Sequence, residues 1–175
     1  MVLTQTDADT NRLHCGSGWD LGLNEVGIEQ AREAAIPLKK NPFKIKRMIS
    51  SPELRAVQMA DIIHDQMKVK WVLWRGFSDQ LLGSLEGKKL GPDDLPSSPI
   101  DQPPGGESLQ KFRERVLATM SEARQSSENT LLVTHRRVAQ VLVQTDPGLR
   151  PGVLYEFQWD ADSSDLPLVR VVSFP

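Results

Sequence analysis

Cysteine is nearly missing from this chain, histidine is scarce, and no apolar run is long. A single cysteine, Cys15, excludes an internal disulfide. Three histidines, His14, His64 and His135, are scattered over 175 residues, and no zinc-ligand spacing can be drawn through them. Neither a metal nor a cofactor is therefore expected. The apolar stretch Leu131-Leu132-Val133 is strand-sized, far short of the ~20 residues a membrane-spanning helix needs. No basic segment followed by a long apolar one opens the chain, so a secretory signal is not expected. An excess of positive charge is lacking too: 21 Lys and Arg face 23 Asp and Glu, giving a net charge of −2. With a pI near 5.9, long-range attraction to nucleic acid or to anionic membranes is not expected. Together these absences describe a cytoplasmic, metal-free protein.

What is present is ordinary for a globular chain: 39% hydrophobic and 25% charged residues. The length suits one domain, 1–175, and no composition shift demands a second. Short β-type segments alternate with helical patterns, which predicts an α/β layered fold around a largely parallel sheet. Met1-Val2-Leu3 starts the first strand. Asn24 opens a helix carrying Ile28, Ala31 and Ala35 at helical spacing, with Pro37 and then Lys39 to Pro42 bringing it to an end. Arg47 to Ser50 is a compact strand. Ser51 as N-cap and Pro52 at the first helical position predict the next helix, with Ala56, Val57, Ala60 and Ile63 on one side. Val69 to Val72 alternates as a further strand. Residues 83–106, rich in Gly, Pro, Ser and Asp, read as a long loop of a length that suggests function. Ser108 precedes an amphipathic helix with Leu109, Phe112, Val116 and Met120 inward. Asn129 to Thr134 predicts a central strand, followed by a helix with Val138, Val141 and Leu142 inward. Val153 to Trp159 and Leu168 to Phe174 predict the last two strands.

In open α/β sheets, ligands bind at the carboxyl ends of strands. Three such ends carry suggestive residues: Gln5, Arg55 and His135. Around them stand Asn11-Arg12-Leu13-His14, Gly18-Trp19-Asp20, Ser50-Ser51-Pro52-Glu53-Leu54-Arg55-Ala56, Gly83-Ser84-Leu85-Glu86-Gly87, Pro104-Gly105-Gly106-Glu107-Ser108 and Val133-Thr134-His135. In this order the chain resembles the histidine phosphatase superfamily, the phosphoglycerate-mutase-like proteins, over nearly its whole length. The resemblance implies a three-layer α/β/α sandwich with a mostly parallel central sheet.

It also implies roles. Arg55 matches the family's phosphate-binding Arg, whose fork of donors suits two phosphate oxygens. His135 matches the second family His, which hydrogen-bonds the phosphoryl group without attacking it. Asn11 matches an Asn lining the phosphate pocket. Asp79 matches the acid that protonates the leaving group, on a shorter arm than the usual Glu. Each has a plainer reading beside it: a helix-surface salt bridge, a satisfied core histidine, a turn residue, a solvated carboxylate.

Where the family has Arg-His-Gly, this chain has Thr4-Gln5-Thr6. Thr4 removes one phosphate clamp, and Thr6 replaces a Gly that allows close backbone approach. Gln5 replaces the nucleophilic His, and a primary amide has no basic lone pair on nitrogen with which to attack phosphorus. Arg136-Arg137 stand where Gly-Gly is usual. They either occlude the pocket or, with Arg136 as a phosphate ligand, restore the charge lost at Thr4. Exposed cations opening a helix are the plain alternative, though the helix dipole disfavours them. His14 and His64 are the weaker candidates for a replacement nucleophile, and Trp71 and Trp74 read as core or rim aromatics.

Three readings follow. The first is a degenerate protein without phosphohistidine-based phosphatase or mutase activity, retaining a site for a phosphorylated small molecule or an inorganic anion. The second is a phosphomonoesterase of altered mechanism, in which Asp79 or His135 helps water attack phosphorus. The third is a structural or protein-interaction module. The sequence is compatible with a homodimer.

Overall fold

The computed structural model describes residues 2–4, 13–40, 43–89, 99–143, 150–158 and 168–172. Strands β1 (Val2–Thr4), β2 (Arg47–Ser50), β3 (Trp71–Leu73), β4 (Thr130–Thr134), β5 (Leu154–Gln158) and β6 (Leu168–Val172) form one sheet in the order β3-β2-β4-β1-β5-β6. The pairs β3-β2, β2-β4 and β4-β1 are parallel, whereas β5 runs antiparallel to both β1 and β6. Helices α1 (Glu25–Lys39), α2 (Leu54–Met67), α3 (Leu109–Ala123) and α4 (Arg136–Val143) cover the two faces.

The period-two alternation of strands divides the core. Met48, Leu131, Val133 and Leu154 point to one side, where Ala31, Ala35 and Leu38 of α1 meet Ala56, Met59, Ala60 and Ile63 of α2. Ile49, Leu132, Tyr155 and Phe157 point to the other, against Phe112 and Val116 of α3 and Val138, Val141 and Leu142 of α4. The fold is the expected three-layer sandwich with a mostly parallel sheet.

Helix starts follow from capping chemistry. The Asn24 side chain accepts from the Gly27 amide at 2.7 Å, and the Ser108 hydroxyl from the Lys111 amide at 3.3 Å. Each such cap contributes about 1 kcal/mol. Helix α1 ends at Lys39, within the Pro37 and Lys39 to Pro42 signals that the sequence offered, and carries Pro37 in its last turn. The fully buried Leu38 anchors that turn, and a proline there costs only one ladder bond. Helix α2 begins at Leu54, later than the Ser51-Pro52 signal, with Glu53 at the cap position and no cap bond from its side chain. Asp20 from a distant loop accepts from the Leu54 amide at 2.6 Å instead, which frees Ser51 and Glu53 for other partners. Within the long 83–106 segment, Gly83–Leu85 forms a 3-10 turn. The third strand starts at Trp71, two residues later than its alternation suggested, and Val69 packs against the core. Trp159 and Phe174, expected strand ends, lie outside the described residues.

Candidate functional site

Register brings the carboxyl ends of three strands together: Thr4 of β1 lies opposite Thr134 of β4, and Ser50 of β2 opposite Val133. The chain continues this pairing one step, with the Ser51 amide donating to the Val133 carbonyl at 3.0 Å. His135 follows β4 directly and starts α4, its carbonyl accepting from the Ala139 amide at 3.0 Å. Arg55 rises from the first turn of α2. Asp79 stands on the loop after β3, which is tied to β4 by a 3.0 Å bond from the Thr134 hydroxyl to the Phe77 carbonyl.

At this edge His135 is buried, and its Nε2 lies 2.8 Å from Glu53 Oε2 and 2.5 Å from Ser51 Oγ. The Ser51 hydroxyl also bonds the same Glu53 oxygen. Burial works to push the Glu53 carboxyl up. The His135 charge and hydrogen bond, the Ser51 hydroxyl and the Arg55 guanidinium together outweigh it and hold the group down at about 2. An ionised carboxylate therefore rests on the imidazole.

A second carboxylate rests on the arginines. Arg55 is fully buried, and its Nη2 lies 3.4 Å from Asp79 Oδ2 and 3.3 Å from the Gly16 carbonyl. Arg137 reaches the same Asp79 oxygen at 3.0 Å and the Cys15 carbonyl at 2.7 Å. Asp79 Oδ1 accepts from the Gln80 amide at 2.9 Å. Asp79 Oδ2 thus accepts from two guanidiniums at once.

The loop that carries Asp79 is itself clamped. Arg115 of α3 donates to both carboxylate oxygens of Glu107, at 2.9 and 2.6 Å, and to the carbonyls of Gly76, Ser78 and Asp79. The Gln80 side chain accepts from the Ile100 amide at 2.8 Å and donates to the Ile100 and Glu107 carbonyls at 2.6 and 2.9 Å. Beside the buried groups opens a cleft of about 480 Å³ lined by Ser17, Asp20, Glu53, Arg75, Glu107 and Arg115, among others. His135, Arg55, Arg137 and Asp79 are not part of its lining.

The structure thus brings together Arg55, Asp79 and His135 of the residues singled out from sequence. Thr4 is placed as the last residue of β1, whereas Gln5 and Asn11 lie outside the described residues. Arg136 is half-buried at the start of α4, and it is the adjacent Arg137, almost fully buried, that joins the site. The plain reading of both as exposed cations therefore does not hold. His14 is buried on a segment bridged to residues 87–89. His64 sits at the far end of α2, where Nδ1 donates to the Val69 carbonyl at 2.8 Å. Trp74 stacks on Phe77, as a core-rim aromatic does. Sequence reasoning missed Glu53 and the Arg137–Asp79 pair. The available signal for Glu53 was a carboxylate two residues from the matched Arg, at the mouth of a helix where the chain leaves a buried strand.

Parallel strands with arginines and a histidine gathered at their carboxyl ends place the chain in the class of phosphoglycerate-mutase-like α/β folds. It belongs to the histidine phosphatase superfamily (branch 1), whose sequence pattern matches residues 4–165. It is 27% identical over 168 residues to a phosphoglycerate mutase of Schizosaccharomyces pombe, covering 85% of this chain and 80% of that one. It is also 27% identical over 139 residues to an uncharacterized phosphatase, PhoE, of Bacillus subtilis, covering 78% and 70%. Among solved structures, a mycobacterial glucosyl-3-phosphoglycerate phosphatase superimposes with a TM-score of 0.76 at 18% identity, over 98% of this chain and 95% of that one.

Proposed function

We propose that this chain is a non-catalytic member of the superfamily, without phosphohistidine-based phosphatase or mutase activity. The observation that carries the reading is the pairing of Arg55, Arg137 and His135 with the chain's own carboxylates. Glu53 lies on His135, and Asp79 lies between Arg55 and Arg137. Phosphoryl transfer needs positive charge free to meet the equatorial oxygens of the transition state. Here two guanidiniums and an imidazole meet two buried carboxylates before any ligand arrives. A phosphorylated small molecule or an inorganic anion would have to displace one of them. The amide of Gln5 at the nucleophile's position supports the same conclusion, since it cannot carry a phosphoryl group.

A water-based phosphomonoesterase fits less well. Asp79 is occupied at Oδ2 by two guanidiniums, and Glu53, held down at about 2, is a weak general base. The proposal is tested by incubating the chain with a radiolabelled phosphodonor and quenching under alkaline conditions, which preserve phosphohistidine. No label above a boiled control is expected. Stoichiometric label on peptides containing His14, His64 or His135 would overturn the reading.

A further inference from the structure

Of the two carboxylates that meet the buried cations, only Glu53 has somewhere to go. Asp79 stands away from the cleft and is fixed at both oxygens, Oδ2 by Arg55 and Arg137 and Oδ1 by the Gln80 amide. Its loop is clamped in turn, Arg115 donating to the Asp79 carbonyl itself. Glu53 is only 4% exposed, yet it lines the cleft, and the bonds from Ser51 and His135 both end on Oε2. Its backbone starts α2, the carbonyl accepting from the Ala56 and Val57 amides at 2.9 and 3.0 Å, while its side chain caps nothing. A turn of that side chain into the cleft leaves the helix, and the Asp20 bond to the Leu54 amide, in place.

What such a turn uncovers has the chemistry of an oxyanion site. The Ser51 hydroxyl and His135 Nε2 lie 2.5 Å apart, and both meet Glu53 Oε2. The Arg55 guanidinium adds its charge, helping to hold the Glu53 carboxyl low. All three groups are buried, Ser51 and Arg55 at 0% exposure and His135 at 1%. A hydroxyl, an imidazole and a guanidinium gathered around one carboxylate are the groups an external carboxylate or phosphate would use.

We propose that Glu53 is a built-in occupant of this anion site, an autoinhibitory contact that closes it to external carboxylates and phosphates until the side chain turns into the cleft. Tethered two residues from Ser51, the carboxylate has a high effective concentration that a free anion must exceed. The cleft of about 480 Å³ gives the displaced side chain room and the anion a way in. The inference rests on the reading that these cations are paired within the chain, and it says which pair yields.

Removing the occupant tests it. Glu53→Ala leaves the hydroxyl, imidazole and guanidinium facing a carboxylate-sized gap that formate or phosphate can fill. Thermal unfolding of the full chain is followed in sodium formate and in sodium phosphate, against sodium chloride at matched ionic strength. The variant should start below wild type and then gain roughly 3–5 °C in Tm per tenfold rise in anion above its Kd. Wild type should bind either anion at least tenfold more weakly. Glu53→Gln keeps the shape and loses the charge, and should also bind phosphate at least tenfold more tightly than wild type, which decides the matter if Glu53→Ala folds poorly. Adding His135→Asn to either variant should abolish the response. Variants that respond no more than they do to chloride, or a wild type that binds phosphate as tightly as they do, overturn the inference. Hydrolysis of p-nitrophenyl phosphate is followed in the same preparations. With no wild-type turnover, a failure of the variants to gain anion binding sinks this inference alone. Wild-type turnover sinks the non-catalytic reading and this inference together, since a working site is not closed.

Discussion

Glu53 is the residue on which the chemistry of this site turns. A carboxylate buried beside an imidazole, a hydroxyl and a guanidinium keeps its charge only because those partners outweigh the cost of burial. Its folded value of about 2 lies below the ordinary 4.5, so its contribution to stability is fully present above pH 4.5. That contribution is lost as pH falls from there toward 2. A shift of this size corresponds to about 3 kcal/mol of pH-dependent stability. Urea unfolding of wild type and Glu53→Gln between pH 6 and pH 3 should therefore converge, with the wild type losing stability and the variant losing less. Parallel curves over that range would show that the carboxylate is not paired as described. Asp79 poses the converse arrangement, one carboxylate oxygen shared by two guanidiniums. Removing either arginine leaves a buried pair incomplete.

At the scale of elements, the loop between β3 and α3 does the positioning. Arg115 and Gln80 pin its backbone from two sides, and the 3-10 turn at Gly83–Leu85 lets it fold back on residues 104–107. Gly83 holds φ at +57°, and a Cβ there would meet the Pro104 carbonyl and the Gly105–Gly106 backbone. Gly83→Ala should cost about 1–3 kcal/mol in denaturant unfolding through strain and collision, and a loss near zero would contradict this packing. The helices were legible in the sequence because their signals are local: Asn24 and Ser108 as caps, Ala31 and Ala35 or Phe112 and Val116 at helical spacing. Strand-end placement of Arg55 and His135 was legible for the same reason. Glu53 on His135 joins residues 82 positions apart, and Arg137 on Asp79 joins residues 58 apart. No local pattern encodes those contacts, which exist only once β2 and β4 are neighbours. The start of α2 was misjudged on the same account, since its cap comes from Asp20, 34 residues away.

For the whole molecule, strand order explains why the site forms where it does. Placing β4 between β2 and β1 sets His135, the Ser51–Arg55 turn and the end of β1 along one edge, with both faces closed by buried helix residues. The same edge serves ligand binding in open α/β sheets generally. In this chain, the side chains delivered there balance one another. Among the described helices, none is long and apolar enough to cross a membrane. We propose that this edge keeps the family's fold without its phosphoryl chemistry. Steady-state turnover of p-nitrophenyl phosphate tests it most directly, measured side by side for wild type and Gln5→Ala. Rates indistinguishable from buffer are expected for both proteins. Saturable wild-type turnover, abolished by His135→Ala or Arg55→Met, would contradict it.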